Sequence, residues 1–167
     1  MKTIILLCLF TVSFSSFSQE KNQPEKKNFF KKILGNELES SIVFMPIGSH
    51  TVNPDIVGIW YPSYNYKSFE VGVFKNSYKD WTMSFLYKRS WKFSKNFSVI
   101  YGGGFLFGYN GKLKNHRNIP LSNTFLYSGN VSPVVGLNVD YKISKKLSIH
   151  SSLTPLLIFI YGLRYYL

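Results

Sequence analysis

Cysteine is nearly missing from this chain. The one thiol, Cys8, sits inside an apolar stretch near the N-terminus. Residues 1–18 read as a secretory signal peptide: Lys2 gives the positive start, Ile4 to Val12 the apolar core, and Ser16-Phe17-Ser18 a small-x-small cleavage site. The mature chain then has no cysteine, which excludes disulfides, a thiol nucleophile and thiolate-ligated metal. Long apolar runs are also missing. After the signal no stretch approaches the roughly 18 residues that a membrane-spanning helix needs. Acidic residues are scarce, 8 against 20 Lys and Arg, for a net charge of +12. That balance points to an anionic partner, and in an exported protein to anionic lipid rather than nucleic acid. No nucleic-acid-binding motif, glycine-rich phosphate loop or cofactor motif is present, and His50, His116 and His150 lack metal-ligand spacing. The expectation is no metal and no cofactor.

Aromatic residues, by contrast, are abundant at 18%. Residues 19–40 form an N-terminal segment in which Gln23 to Gly35 reads as a short helix, with Pro24 in its first turn and Gly35 as its stop. Phe29, Phe30, Ile33 and Leu34 share one face, with Lys26, Lys27, Lys31 and Lys32 opposite or alongside. Such a helix lies in an anionic lipid surface; a basic linker with a few core contacts is the other reading.

From residue 41 to 167 the chain alternates with a period of two in eight segments, roughly 41–49, 57–66, 68–76, 81–93, 97–109, 131–143, 147–154 and 157–167. One face is bulky. In the fourth segment Trp81, Met83, Phe85 and Tyr87 share it, and in the sixth Val135, Leu137, Val139 and Tyr141. The other face carries Gly, Ser, Asn, Asp or Lys. A sandwich sheet points its bulky face into the core and a strongly charged face outward. A glycine-rich face is better explained by a narrow lumen, with the aromatics in lipid. The expected fold is therefore all-β, an eight-stranded antiparallel transmembrane barrel behind a short amphipathic helix, with a secreted soluble β-sandwich as the alternative. Connections alternate short and long, the short ones being Lys67, 94–96 and 144–146. With the N-terminus in the periplasm the long loops are extracellular. His50 then ends strand one on the same rim as Asn76-Ser77, two strand spacings away, roughly 10 Å.

The hairpin tip Phe74-Lys75-Asn76-Ser77-Tyr78-Lys79-Asp80-Trp81 resembles the Phe-Lys-Asp-Ser-Trp tip of the lipid A palmitoyltransferase (PagP) family of outer-membrane enzymes. The order of helix, eight strands and an Ile119-Pro120-Leu121 run in the third outer loop is similar as well. The resemblance implies transfer of an acyl chain from a phospholipid to lipid A in the outer membrane of a Gram-negative bacterium, by a monomer, with outer-membrane lipids as partners and no nucleic acid. It implies catalytic roles for His50 and Ser77, with Asn76 where the family has aspartate. An amide cannot supply the charge that steadies an imidazolium, though it can donate to an oxyanion, and Asp55 or Asp80 can replace the carboxylate. Asp80, Lys88, Lys112, Lys114 and Arg117 are the expected substrate-binding residues, the three loop cations toward lipid A phosphates. Lys88 faces inward at the depth where the family has a small residue, and there it shortens or blocks a hydrocarbon pocket unless it snorkels. The family admits lipid through gaps between strands one and two and between six and seven. Pro46 with Pro62 and Pro133 with Pro155 resemble the residues that open them. The alternative function is a non-enzymatic small barrel, lipid-binding or adhesin-like, whose catalytic set has decayed. His150 is expected to be a satisfied lumen group.

Overall fold

The computed structural model describes residues 32–50, 56–117, 119, 121–154 and 158–167. The expected signal peptide, residues 23–31 of the expected helix, Asp55, Pro120 and Pro155 lie outside them. Of the helix, residues 32–34 are described and helical. Gly35 follows at φ +61°, the left-handed geometry that stops a helix and that glycine adopts without a Cβ penalty.

Eight antiparallel strands close into a barrel, each hydrogen-bonded to its sequence neighbours, with β1 returning to β8. They are β1 (Ser41–His50), β2 (Ile56–Tyr66), β3 (Phe69–Lys75), β4 (Trp81–Lys92), β5 (Phe97–Phe107), β6 (Val131–Lys142), β7 (Leu147–Leu153) and β8 (Ile158–Tyr166). Closure removes the sheet edges that would otherwise leave backbone groups unpaired, as lipid requires. The alternation falls as expected. Exposed and buried residues alternate along β3 and the outer part of β4. Trp60 is 71% exposed and Trp81 68%, while Ser84, Asn65 and Ser132 are buried. Bulky outside and small or polar inside is the inverse of a soluble sheet, and it suits hydrocarbon around the wall. The sandwich alternative is thereby set aside.

The glycines of β5 allow the wall to close tightly. A Cβ at Gly102 or Gly104 would run into the carbonyl oxygens of Tyr87 and Phe85 on β4. This stretch therefore admits close approach of two backbones.

Between residue 34 and β1 the chain is tied to the short-turn end of the barrel. Arg89, on the outer face of β4, donates to the carbonyl oxygens of Leu34 and Gly35, both at 2.8 Å, and Tyr101 Oη donates to Leu34 O at 2.7 Å. Asn36 exchanges backbone hydrogen bonds with Ser90, covering β4 where it outruns β3. Leu38 is buried, its N–H on Ser68 Oγ. Glu39 lies between Lys92 and Lys142, at 3.4 Å from each. Partial burial pushes its carboxyl up, but the two lysines outweigh burial and hold it below its ordinary range.

Interruptions in the pairing sit beside prolines. Pro46 lies where β1 slips register against both β2 and β8, yet β1 and β2 pair on either side of it, Met45 with Tyr61 and Ile47 with Gly58. The gap expected between the first two strands is thus a bulge. The stretch without pairing lies instead between β2 and β3, whose ladder stops at Ser63–Gly72, one residue short of Pro62. On the opposite side the described β6–β7 ladder ends at Leu137–Leu153, with Pro133 further along β6.

Candidate functional site

β1 and β3 run in the same direction, so their ends bring His50 and the Asn76-Ser77 tip to one rim of the barrel. His50 is described by its backbone, opposite Ile158 of β8. Ser77 is exposed in the turn after β3.

Asn76 is 6% exposed, and its side chain builds the turn. Its Oδ1 accepts from the backbone N–H of Tyr78 at 2.9 Å and of Asp80 at 3.1 Å. Its Nδ2 donates to Thr82 Oγ1 at 3.0 Å and to Gly108 O at 3.4 Å. An asparagine that folds back on the backbone two residues on makes an Asx turn. Here the amide also carries two donors toward acceptors on β4 and the loop after β5. The expected oxyanion or imidazole role therefore has no spare amide hydrogen to call on. Asp80 is committed too, its carboxylate paired with Lys112, whose ammonium also lies 5.4 Å from the Tyr78 ring centroid. Asn76→Asp keeps both acceptor contacts but sets carboxylate oxygen against Gly108 O and requires the Thr82 hydroxyl to turn and donate. It is expected to lower stability by about 1–3 kcal/mol, read as a lower urea midpoint in lipid vesicles. An unchanged midpoint would show that the Nδ2 contacts to Thr82 and Gly108 do not hold the tip.

The long loop of residues 108–130 folds onto this tip. Tyr109, Leu113 and Ile119 are buried together and pack on Phe74, Leu106 and Tyr127. Phe74 also packs on the interior cluster of Val43, Met45 and Tyr61, so loop and lumen share one apolar contact. Burial, then the neighbouring Tyr78, pushes the Tyr109 phenol up to about 12, so it stays neutral at any physiological pH. Lys114 and Arg117 are exposed on this loop, while Lys112 is drawn to Asp80.

Beneath lies a polar lumen. Lys88 is 5% exposed and does not snorkel: its Nζ is 2.7 Å from Glu70 Oε1, which also accepts from Tyr61 Oη at 3.0 Å. Tyr61 Oη is 2.8 Å from Ser84 Oγ. A second group gathers around Asp140. One carboxylate oxygen is 3.0 Å from His150 Nδ1 and 3.4 Å from Arg164 Nε, and the other accepts from Tyr166 Oη at 2.6 Å. Glu70 and the Asp140–Arg164–Tyr166 group were not among the expected site residues. Their signal was available, because each is a charge or hydroxyl on the small face of a strand.

A pocket of about 50 Å³ opens above the last described β6–β7 pair. Gly102, Gly103 and Gly136 form its wall, and Lys88 lies at its inner side with Asn138, Ser152 and Thr154. Among the described residues no cluster of His, Cys, Asp and Glu has the form of a metal site.

No family model matches the chain, and no curated protein matches it. Among solved structures it is similar to a de novo designed transmembrane β-barrel, at 18% identity and a TM-score of 0.52, over 80% of this chain and 99% of that one. At that identity the likeness speaks to fold alone, and the fold it supports is a transmembrane β-barrel.

Proposed function

We propose that this chain is an outer-membrane barrel of a Gram-negative bacterium that takes a lipid acyl chain into its wall between β6 and β7. Its reaction, carried over from the PagP resemblance, is transfer of a fatty acyl chain from a phospholipid to lipid A or a related outer-leaflet lipid. The observation that supports this most is the pocket lined by β4, β5, β6 and residues 152 and 154, which has both the lipid-facing Val135 and the buried Lys88 in its lining. In the reaction the acceptor hydroxyl oxygen bonds to the donor ester carbonyl carbon. The bond from that carbon to the lysophospholipid oxygen breaks, and His50 carries the hydroxyl proton to the leaving oxygen. Ser77, exposed on the same rim, hydrogen-bonds the reacting ester.

A second reading, lipid binding without transfer, is favoured by the commitments of Asn76 and Asp80, which leave His50 no free carboxylate from the tip. Mass spectrometry of lipid A from cells with and without the chain separates the two. Transfer predicts a species heavier by one acyl group. An unchanged lipid A profile at confirmed expression leaves the binding reading alone.

A further inference from the structure

The pocket beside Val135 has Gly102, Gly103 and Gly136 in its wall and polar groups at its inner side. Leu86, Val134 and Val135 are its apolar side chains, whereas Lys88, Asn138, Ser152 and Thr154 bring an ammonium, an amide and two hydroxyls to its inner side. Lys88 gives one N–H to Glu70, and an ammonium has three. Thr154 Oγ1 is buried and has no hydrogen-bond partner among the described residues. A plain hydrocarbon seated here would strip water from these groups and return no hydrogen bond, the costly side of the exchange.

Depth says where on a lipid the matching group must sit. Lys88 is level with Gly102, and Gly102 with Gly136. Gly136 is five residues from Val131, the loop end of β6, or roughly 16 Å along the strand. A lipid anchored at that rim therefore reaches the polar floor with the middle of its chain and not with its headgroup.

We propose that this pocket recognises a hydrogen-bonding group carried mid-chain, so that the lipid it takes is a hydroxylated acyl chain in preference to a plain saturated one. The proposal rests on the lipid-chain reading above and specifies its substrate class. The hydroxyl donates to Thr154 Oγ1, unpartnered among the described residues, and accepts from the Lys88 ammonium. Glu70 keeps that ammonium oriented from the other side.

The test titrates the full chain, purified from membranes in detergent, with a mid-chain hydroxy fatty acid and with the saturated acid of equal length, and reads binding by native mass spectrometry. The hydroxy acid is expected to bind roughly tenfold tighter, the worth of about one hydrogen bond to a charged group. Thr154→Val removes one hydroxyl at nearly constant shape and should cut the preference to roughly threefold. Replacing both charges, Glu70→Gln with Lys88→Met, should abolish it. Should the double variant fail to fold, Thr154→Val carries the test. Equal affinities in the unmodified chain, tighter binding of the saturated acid, or a preference unchanged by Thr154→Val would overturn the proposal while leaving lipid-chain binding intact. Binding of neither acid, with no acyl mass added to lipid A in cells, would overturn both readings together.

Discussion

Replacing Lys88 by methionine is expected to destabilise the barrel by about 3–5 kcal/mol, because it leaves the Glu70 carboxylate buried without its counter-charge. Glu70 is 1% exposed and Lys88 5%, so water cannot take the missing partner's place. The double replacement, Glu70→Gln with Lys88→Met, should cost far less than the sum of the single ones, since an amide can still accept from Tyr61 and no charge is stranded. Urea unfolding in lipid vesicles, followed by tryptophan fluorescence, gives the cycle directly. Additive costs would mean that the two residues do not act as a pair. The contrast with Lys112 and Asp80 is instructive: that pair sits on the solvated tip, where separating the charges should change stability by under about 1 kcal/mol.

The second large effect concerns the proposed acyl transfer. His50→Ala is expected to reduce acyl transfer by about 10²–10⁴-fold, the usual worth of a general base. Ser77→Ala should reduce it with little change in stability, because Ser77 is exposed and truncating it removes few packing contacts. Transfer is measured in detergent with phospholipid donor and lipid A acceptor, after the heat-dependent gel shift typical of intact barrels confirms each variant is folded. Full activity in both variants would remove His50 and Ser77 from the chemistry.

Much of the barrel was legible in the chain before any coordinate. Alternation of period two placed all eight strands to within about two residues, since lipid outside and a narrow lumen inside sort side chains by size at every step. The Asp140–His150 pair was within reach too. A tight connection at residues 144–146 fixes the hairpin register, and that register sets Asp140 opposite His150. Proline was less informative. It marks a residue that cannot donate, but a strand residue directs its N–H to one neighbour only, and the sequence does not say which. For Pro62 the ladder breaks on the β3 side, where the resemblance implied the β1 side. Asn76 was misleading for a different reason. An asparagine where a catalytic aspartate is expected reads as a weakened catalyst, yet within the tip its side chain holds the turn that presents Ser77. Glu70 and Lys88 are each legible as a charge on the small face of a strand, but their pairing is not. Only the register, with Glu70 opposite Leu86, puts Glu70 and Lys88 diagonal to one another on one hairpin.

The central claim is that a lipid chain enters the wall between β6 and β7 and ends beside Lys88. Photo-crosslinking measures this most directly, using a phospholipid that carries a diazirine in mid-chain, reconstituted with the purified protein and mapped by peptide mass spectrometry. Adducts on the inward residues Leu86, Lys88, Asn138 or Ser152 are the predicted result. Adducts confined to outward residues such as Phe105, Leu137 and Val139, at the level of bulk lipid contact, would contradict it.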